Sequence, residues 1–366
     1  MKRFIIVGCL LLAGIMAGIF YYSGEHTEAP PLQKVGVVMM GGRDDSSWNI
    51  SHVEGLDKVT RDSGVPVVWR DGVELWDAPQ VMEELIGEGC RVIIVTSWEL
   101  EDATLQEAAK YPRVSFLQAR SQKEGPNILC YTGRFYQMNY LCGLAAGAYA
   151  KSGAIGYVSS VPNPESIRAV DAFAIGVRKV NPEAKVYLRY AGSWTSDSLV
   201  GMAAGQLMRD HPEIQVLAGQ AGSDGYLEVA RQKGIKAIGC NIDQSQKFPE
   251  TVVTAPLWHW EVVYGKALQE TAYARVSSRS YLGGVDSGLF SFLRTPLLHV
   301  KMGDGESLES FMEGERQRIV AGYFDAFYGP LRDNTGQLRV PQGENLSDDV
   351  LFGSLDWYAE GVQLDD

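Results

Sequence analysis

The chain has 366 residues, with 33 Lys and Arg against 45 Asp and Glu, and a net charge of −12. It is 45% hydrophobic and 21% charged, which excludes a disordered or fibrous chain, and the acidic balance offers no basic face to a nucleic acid. Five cysteines and five histidines are too few for a disulfide framework or a histidine-rich metal centre.

Lys2 and Arg3 precede a nineteen-residue uncharged stretch, Phe4 to Tyr22. At about 1.5 Å per residue it nearly crosses a hydrocarbon core of roughly 30 Å. The basic start directs the following chain outward. The stretch ends in Phe20-Tyr21-Tyr22, which suits a membrane interface better than a small-x-small cleavage site. Residues 1–24 are therefore expected to be an uncleaved anchor, with a cleaved signal and lipidation at Cys9 as alternatives. In each case the body is exported, and residues 25–32, with Pro30-Pro31, read as a tether.

From Val35 onward, short runs rich in β-branched residues alternate with stretches of helical length. The first strands are predicted at Val35–Met40, Val65–Trp69, Arg91–Ser97, Arg113–Gln118 and Asn127–Tyr131. A second series follows at Ala154–Ser160, Lys185–Tyr190, Ile214–Gly219, Ile235–Cys240 and Val252–Leu257. Helices are predicted near 49–63, 78–88, 99–110, 135–151, 163–180, 196–211 and 223–233. Strands apolar on both faces and alternating with helices call for parallel βαβ units. Two series imply an α/β protein with two similar lobes, placed at 33–150 with 257–280 and at 151–256 with 281–366. Ligands of such sheets bind outside the carboxyl ends of the strands. The site is accordingly expected in the loops 41–49, 97–99, 133–139, 162–168, 192–197, 220–225 and 241–244.

No HExxH, CxxC, GxSxG or GxxxxGK[ST] motif occurs, and no GxGxxG follows the first strand. Asp44, Asp45, Asp197 and Asp243 could be imagined as hydrolytic acids, but paired acids are common on an acidic surface. No enzyme activity and no cofactor are expected. The unusual feature is aromatic. Trp48, Trp98, Trp194 and Trp258, four of eight tryptophans, fall at or just past the carboxyl ends of four predicted strands. Flat rings facing across a cleft suit a planar heterocycle, through stacking worth about 0.5–1.5 kcal/mol per pair beyond burial. Asn49, Asp197 and Asn241 could read the ring edge; with Asp45, Asp243 and the four tryptophans they make nine candidate ligand-binding residues.

The segment Asp44-Asp45-Ser46-Ser47-Trp48-Asn49 resembles the DD-x-S-[FW]-N signature of the basic membrane protein family, type I periplasmic solute-binding proteins that include purine nucleoside receptors of ABC importers. Further similar segments are Phe135…Tyr140-Leu141-Cys142-Gly143, Asn181-Pro182, Gly192-Ser193-Trp194…Asp197 and Ala221-Gly222-Ser223-Asp224-Gly225. Gly239-Cys240-Asn241-Ile242-Asp243-Gln244 and the ending Asp356-Trp357-Tyr358…Gly361-Val362 complete the set. The resemblance implies two Rossmann-like lobes with a ligand cleft between them. It makes Trp48 and Trp194 the two faces of a sandwich around a purine ring, with Asn49 at the ring edge. The family reads ribose with an acid where this chain has Asn241 and a lysine where it has Trp258. That departure favours a free base over a nucleoside, because an amide accepts a hydroxyl's hydrogen bond less strongly than a carboxylate. The expected role is a monomeric substrate-binding protein handing a purine-like ligand to an ABC permease. It would meet the membrane only through its N-terminal segment. A membrane-tethered ligand sensor on the same fold is the alternative, and an enzyme a weaker one.

Overall fold

The computed structural model describes residues 33–365 except 46, 62, 122 and 304. The expected anchor and tether lie outside the described residues. Among those described, no helix is long and apolar enough to cross a membrane.

The first series folds as β1 (Val35–Val38), α1 (Trp48–Thr60), β2 (Val67–Arg70), α2 (Ala78–Gly87), β3 (Val92–Val95), α3 (Glu101–Lys110), β4 (Ser115–Ala119), β5 (Ile128–Gly133) and α4 (Tyr136–Tyr149). The second runs β6 (Ala154–Ser159), α5 (Pro164–Val180), β7 (Lys185–Tyr190), α6 (Asp197–Asp210), β8 (Val216–Gln220), α7 (Gly225–Lys233), β9 (Lys236–Ile238) and β10 (Val252–Thr254). All ten strands lie within two or three residues of their expected places. Strands β1, β3 and β4 are buried along their whole length, whereas the edge strand β2 is half-buried throughout. This is why the central runs read as unbroken apolar stretches.

The remaining elements are β11 (Pro256–Trp258), α8 (Glu261–Tyr273), β12 (Arg279–Gly283), β13 (Phe290–Phe292), α9 (Leu308–Val320), β14 (Leu331–Arg332), β15 (Leu338–Val340) and β16 (Val362–Leu364). The predicted run 252–257 is divided. Pro256 has no N–H for a parallel ladder, and the chain leaves β10 there to pair antiparallel with β13 as β11.

Each of the two main sheets has six strands. The orders are β2-β1-β3-β4-β5-β12 and β16-β7-β6-β8-β9-β10, all parallel. The two halves therefore share a 2-1-3-4-5 order and take their sixth strands on opposite edges, so the chain passes three times between sheets. Facing sides of the sheets join one large core around α4 and α5, while separate clusters cover their outer faces. Helices α4 and α5 meet backbone to backbone. A Cβ on Gly143 would lie 2.1 Å from the Phe173 carbonyl oxygen, and one on Gly176 2.1 Å from that of Tyr140. Cys90, Cys130, Cys142 and Cys240 are all buried free thiols.

Candidate functional site

In a 2-1-3-4-5 sheet the order reverses between β1 and β3, and in the second half between β6 and β8. Loops leaving those strands diverge and open a crevice. A cavity of about 310 Å³ lies there, lined from one sheet by the loops after β1 and β3 and from the other by those after β7, β8 and β9. Six of the nine residues singled out in the sequence line it: Asp45, Trp48, Asn49, Trp98, Trp194 and Asn241.

Asp45 shapes the wall. Its carboxylate accepts the backbone N–H groups of Ser47 (3.2 Å), Asn49 (2.9 Å) and Ile50 (3.0 Å), satisfying donors that the start of α1 would leave bare. Burial nevertheless pushes its carboxyl above the usual range, against those three bonds. Asn49 Nδ2 donates to the Gly42 carbonyl at 3.0 Å, and Trp48 Nε1 to that of Thr96 at 3.0 Å. These bonds fix loop, indole and amide to the sheet end. Trp98 stands at the rim, 47% exposed, and Trp194 on the opposite wall is half-buried.

Three of the nine stand elsewhere. Asp197 is the first residue of α6; it accepts from Ser223 Oγ at 2.6 Å and borders an open groove of about 880 Å³ beside α6 and α7. That groove runs along the helices rather than into the crevice, so its size does not make it the site. Asp243 is exposed and accepts from the Ser245 backbone N–H (2.8 Å) and hydroxyl (2.6 Å). Both acids are helix-start or turn residues, where a short acceptor satisfies nearby N–H groups. Trp258 does not line this cavity; 6% exposed, it borders an adjoining chamber and stands in a column of parallel rings. Phe135 stacks on it at 4.4 Å, Trp260 follows at 4.0 Å, and His52 stacks on Trp260 at 4.3 Å. Trp48 meets Trp258, Trp260 and His52 edge-on. Burial holds the His52 imidazole well below its ordinary range; its Nδ1 shares a 2.6 Å bond with the Tyr264 hydroxyl.

Asn241 couples column and cavity. It sits in the left-handed region (φ +65°), which Asn tolerates. Its Nδ2 donates to Ser47 Oγ at 2.6 Å, and its Oδ1 accepts Trp258 Nε1 at 3.0 Å. Both ends of the amide are thus held by the protein.

Sequence reasoning missed Arg120, which follows β4 directly. The only signal was a cation closing an apolar run. Its guanidinium stacks 4.1 Å from the Trp48 ring centroid and pairs with Glu165, at the start of α5. Gln220 Nε2 donates to the same Glu165 carboxylate at 3.2 Å. Arg120, Glu165 and Gln220 thereby bridge the two sheet ends. They also border a second chamber of about 430 Å³, which shares Trp98, Arg120, Phe135 and Gln220 with the first. Glu99 adds a half-buried carboxyl, raised chiefly by burial.

The model of the basic membrane protein (Bmp) family, described as ABC transporter substrate-binding protein, PnrA-like, matches residues 32–297. The chain belongs to this PnrA-like family. It is a family of solute-binding proteins rather than enzymes, some of them regulatory; the solute-binding proteins of ABC systems take small-molecule ligands and work with a permease. A purine-binding protein of Brucella abortus is 26% identical over 355 residues, covering 96% of this chain and 98% of that protein. A putative ABC transporter glucose-binding protein of Haloferax volcanii is 26% identical over 322 residues, 87% of this chain and 77% of that one. Among solved structures, an ABC transporter solute-binding protein from Aeropyrum pernix superposes with a TM-score of 0.69 at 18% identity, covering 87% of this chain and 95% of the other. At that identity the likeness shows the fold, that of ABC solute-binding proteins.

Proposed function

We propose that this PnrA-like protein captures a purine-like heterocycle, free base in preference to nucleoside, in the 310 Å³ cavity between the sheet ends. It would then deliver the ligand to an ABC permease from outside the cytoplasmic membrane, tethered through residues 1–24. The observation that carries this reading is the pairing of Asn241 with Trp258. At the two positions where the family resemblance implies a ribose-reading acid and lysine, this chain has an amide bonded at both ends and an indole packed in the ring column. Neither position offers a charged group to a ribose hydroxyl. The volume, near the small end of ligand pockets, suits a single fused ring, and Trp48, Trp98 and Trp194 supply flat apolar surface for it. The full-length likeness to the Brucella purine-binding protein supports the same class of ligand over a sugar, whose hydroxyls call for many polar partners.

The direct test is to purify the exported protein without added ligand, release what it carries by denaturation, and identify it by mass spectrometry. A purine base at near-stoichiometric yield is the expected result. A nucleoside, or a sugar, in that place would contradict the reading.

A further inference from the structure

Both faces of Trp48 are taken by the protein itself. The indole stands at 79°, 84° and 89° to three successive rings of the column, with centroids 4.6 Å from His52, 5.5 Å from Trp260 and 5.7 Å from Trp258. A ring can approach three members of one stack that closely only by turning a face to their edges. The Arg120 guanidinium carbon lies 4.1 Å from the Trp48 centroid, over the face that remains. A base stacked on Trp48 needs the place that this guanidinium holds.

Arg120 also makes the two contacts that a ligand in the crevice would make. A guanidinium is flat, delocalised and weakly hydrated, so it stacks on an aromatic face much as a heterocycle does. From Trp48 on the first sheet it reaches Glu165, at the start of α5 on the second. Its backbone is strained to do so. With φ at +58°, Arg120 shares the left-handed region with only one other non-glycine residue among those described, Asn241. Asn tolerates that region through its short polar side chain, whereas an arginine has no such local bond to offer. Strain of this kind beside a ligand cavity points to a role in binding. A second carboxylate stands ready for the cation once it leaves. Glu99 lines the same cavity from the first sheet and has no ion-pair partner among the described residues. Burial pushes its carboxyl up, and the Arg120 charge works against that push.

We infer that Arg120 is a placeholder. In the free protein it covers Trp48 and clasps the two sheets through Glu165, and a purine base binds by exchanging with it. This rests on the purine reading above, which puts the base on Trp48, and adds a competitor built into the chain. A competitor of this kind lowers the apparent affinity by the fraction of molecules whose indole is uncovered.

The test is calorimetric titration of the full-length protein with adenine, for wild type, Arg120→Asn and Glu165→Gln. Asn suits the left-handed turn and is too short to cover the indole. With Trp48 uncovered in about one wild-type molecule in ten, Arg120→Asn should bind adenine about ten-fold more tightly. Stopped-flow tryptophan fluorescence should place that gain in the association rate. Glu165→Gln keeps the guanidinium but weakens its clasp, and should tighten adenine by a smaller factor. Unchanged or weaker adenine binding in folded Arg120→Asn overturns the inference, since the guanidinium would then be a wall on which the base rests. If that variant fails to fold, unchanged or weaker binding by Glu165→Gln overturns it equally. Adenine binding by none of the three proteins would instead sink the purine reading, and this inference with it.

Discussion

Replacing Trp258 probes the ring column and the sugar side of the cavity together. From the sequence alone, Trp258→Lys would be expected to help a nucleoside by restoring a cation near its ribose. The structure changes that expectation. The indole is 6% exposed, lies between Phe135 at 4.4 Å and Trp260 at 4.0 Å, and gives its N–H to Asn241 at 3.0 Å. Truncating a buried aromatic to Ala costs about 3–5 kcal/mol. Leaving the Asn241 oxygen short of its partner adds about 1–3 kcal/mol. Together this approaches the whole stability of many domains, about 5–15 kcal/mol. A lysine must in addition carry its ammonium out of the column or bury it. Trp258→Phe keeps a stacked ring but loses the N–H and the fused five-membered ring, so its cost should be about 2–4 kcal/mol, below that of Trp258→Ala. Urea unfolding followed by tryptophan fluorescence and circular dichroism gives the midpoints. The expected order is wild type, then Trp258→Phe, with Trp258→Ala and Trp258→Lys far below. If Trp258→Ala unfolds within about 1 kcal/mol of wild type, the column is not a structural element and the reasoning fails.

Trp48→Ala and Trp194→Ala should each weaken a free purine base by about 1–3 kcal/mol, the cost of a lost stacking partner, and calorimetry on the folded variants measures it. Asn241→Asp can still accept from Trp258 and from the Ser47 hydroxyl, and its carboxylate has lone pairs to spare; competition titration should show the base-to-nucleoside affinity ratio falling. His52 is held well below its ordinary value of 6.5 by burial, and its Nε2 has no partner among the described residues. The unfolded chain takes up a proton below about pH 6.5 that the folded chain refuses. Its contribution is therefore full above that pH and lost as pH falls toward 5, at up to about 1.4 kcal/mol per pH unit. His52→Phe should flatten that part of the stability profile measured by urea titration at each pH.

The central architecture was legible because the strands that carry it are buried on both faces and flanked by turn residues. The sixth strands were not. β12 reads Arg-Ser-Tyr-Leu-Gly at an edge and is mostly half-buried, and β16 has only three residues, two of them exposed. Neither leaves an apolar run to notice. At the site, the switch-point rule located the loops, and the tryptophans at strand ends marked the wall. Trp258 shared their position in sequence but not their direction. Pro256 interrupts the parallel ladder, which continues only as a single bridge between Asn241 and Leu257, and the new pairing with β13 accompanies an indole turned into the column. Asp197 and Asp243 matched motifs that also serve to start a helix and to close a turn, and those uses hold both away from the cavity. Arg120 was hidden for the opposite reason. It belongs to no motif, and its partners Trp48 and Glu165 lie far from it along the chain.

The central claim is that the crevice between the sheet ends takes a free base. Side-by-side calorimetric titration of the ligand-free protein with purine bases and their matching nucleosides tests it most directly. One-to-one binding in which a base outcompetes its own nucleoside is the expected result, abolished or strongly weakened in Trp48→Ala. Tighter binding of a nucleoside than of every free base, or base binding indifferent to Trp48, would contradict it.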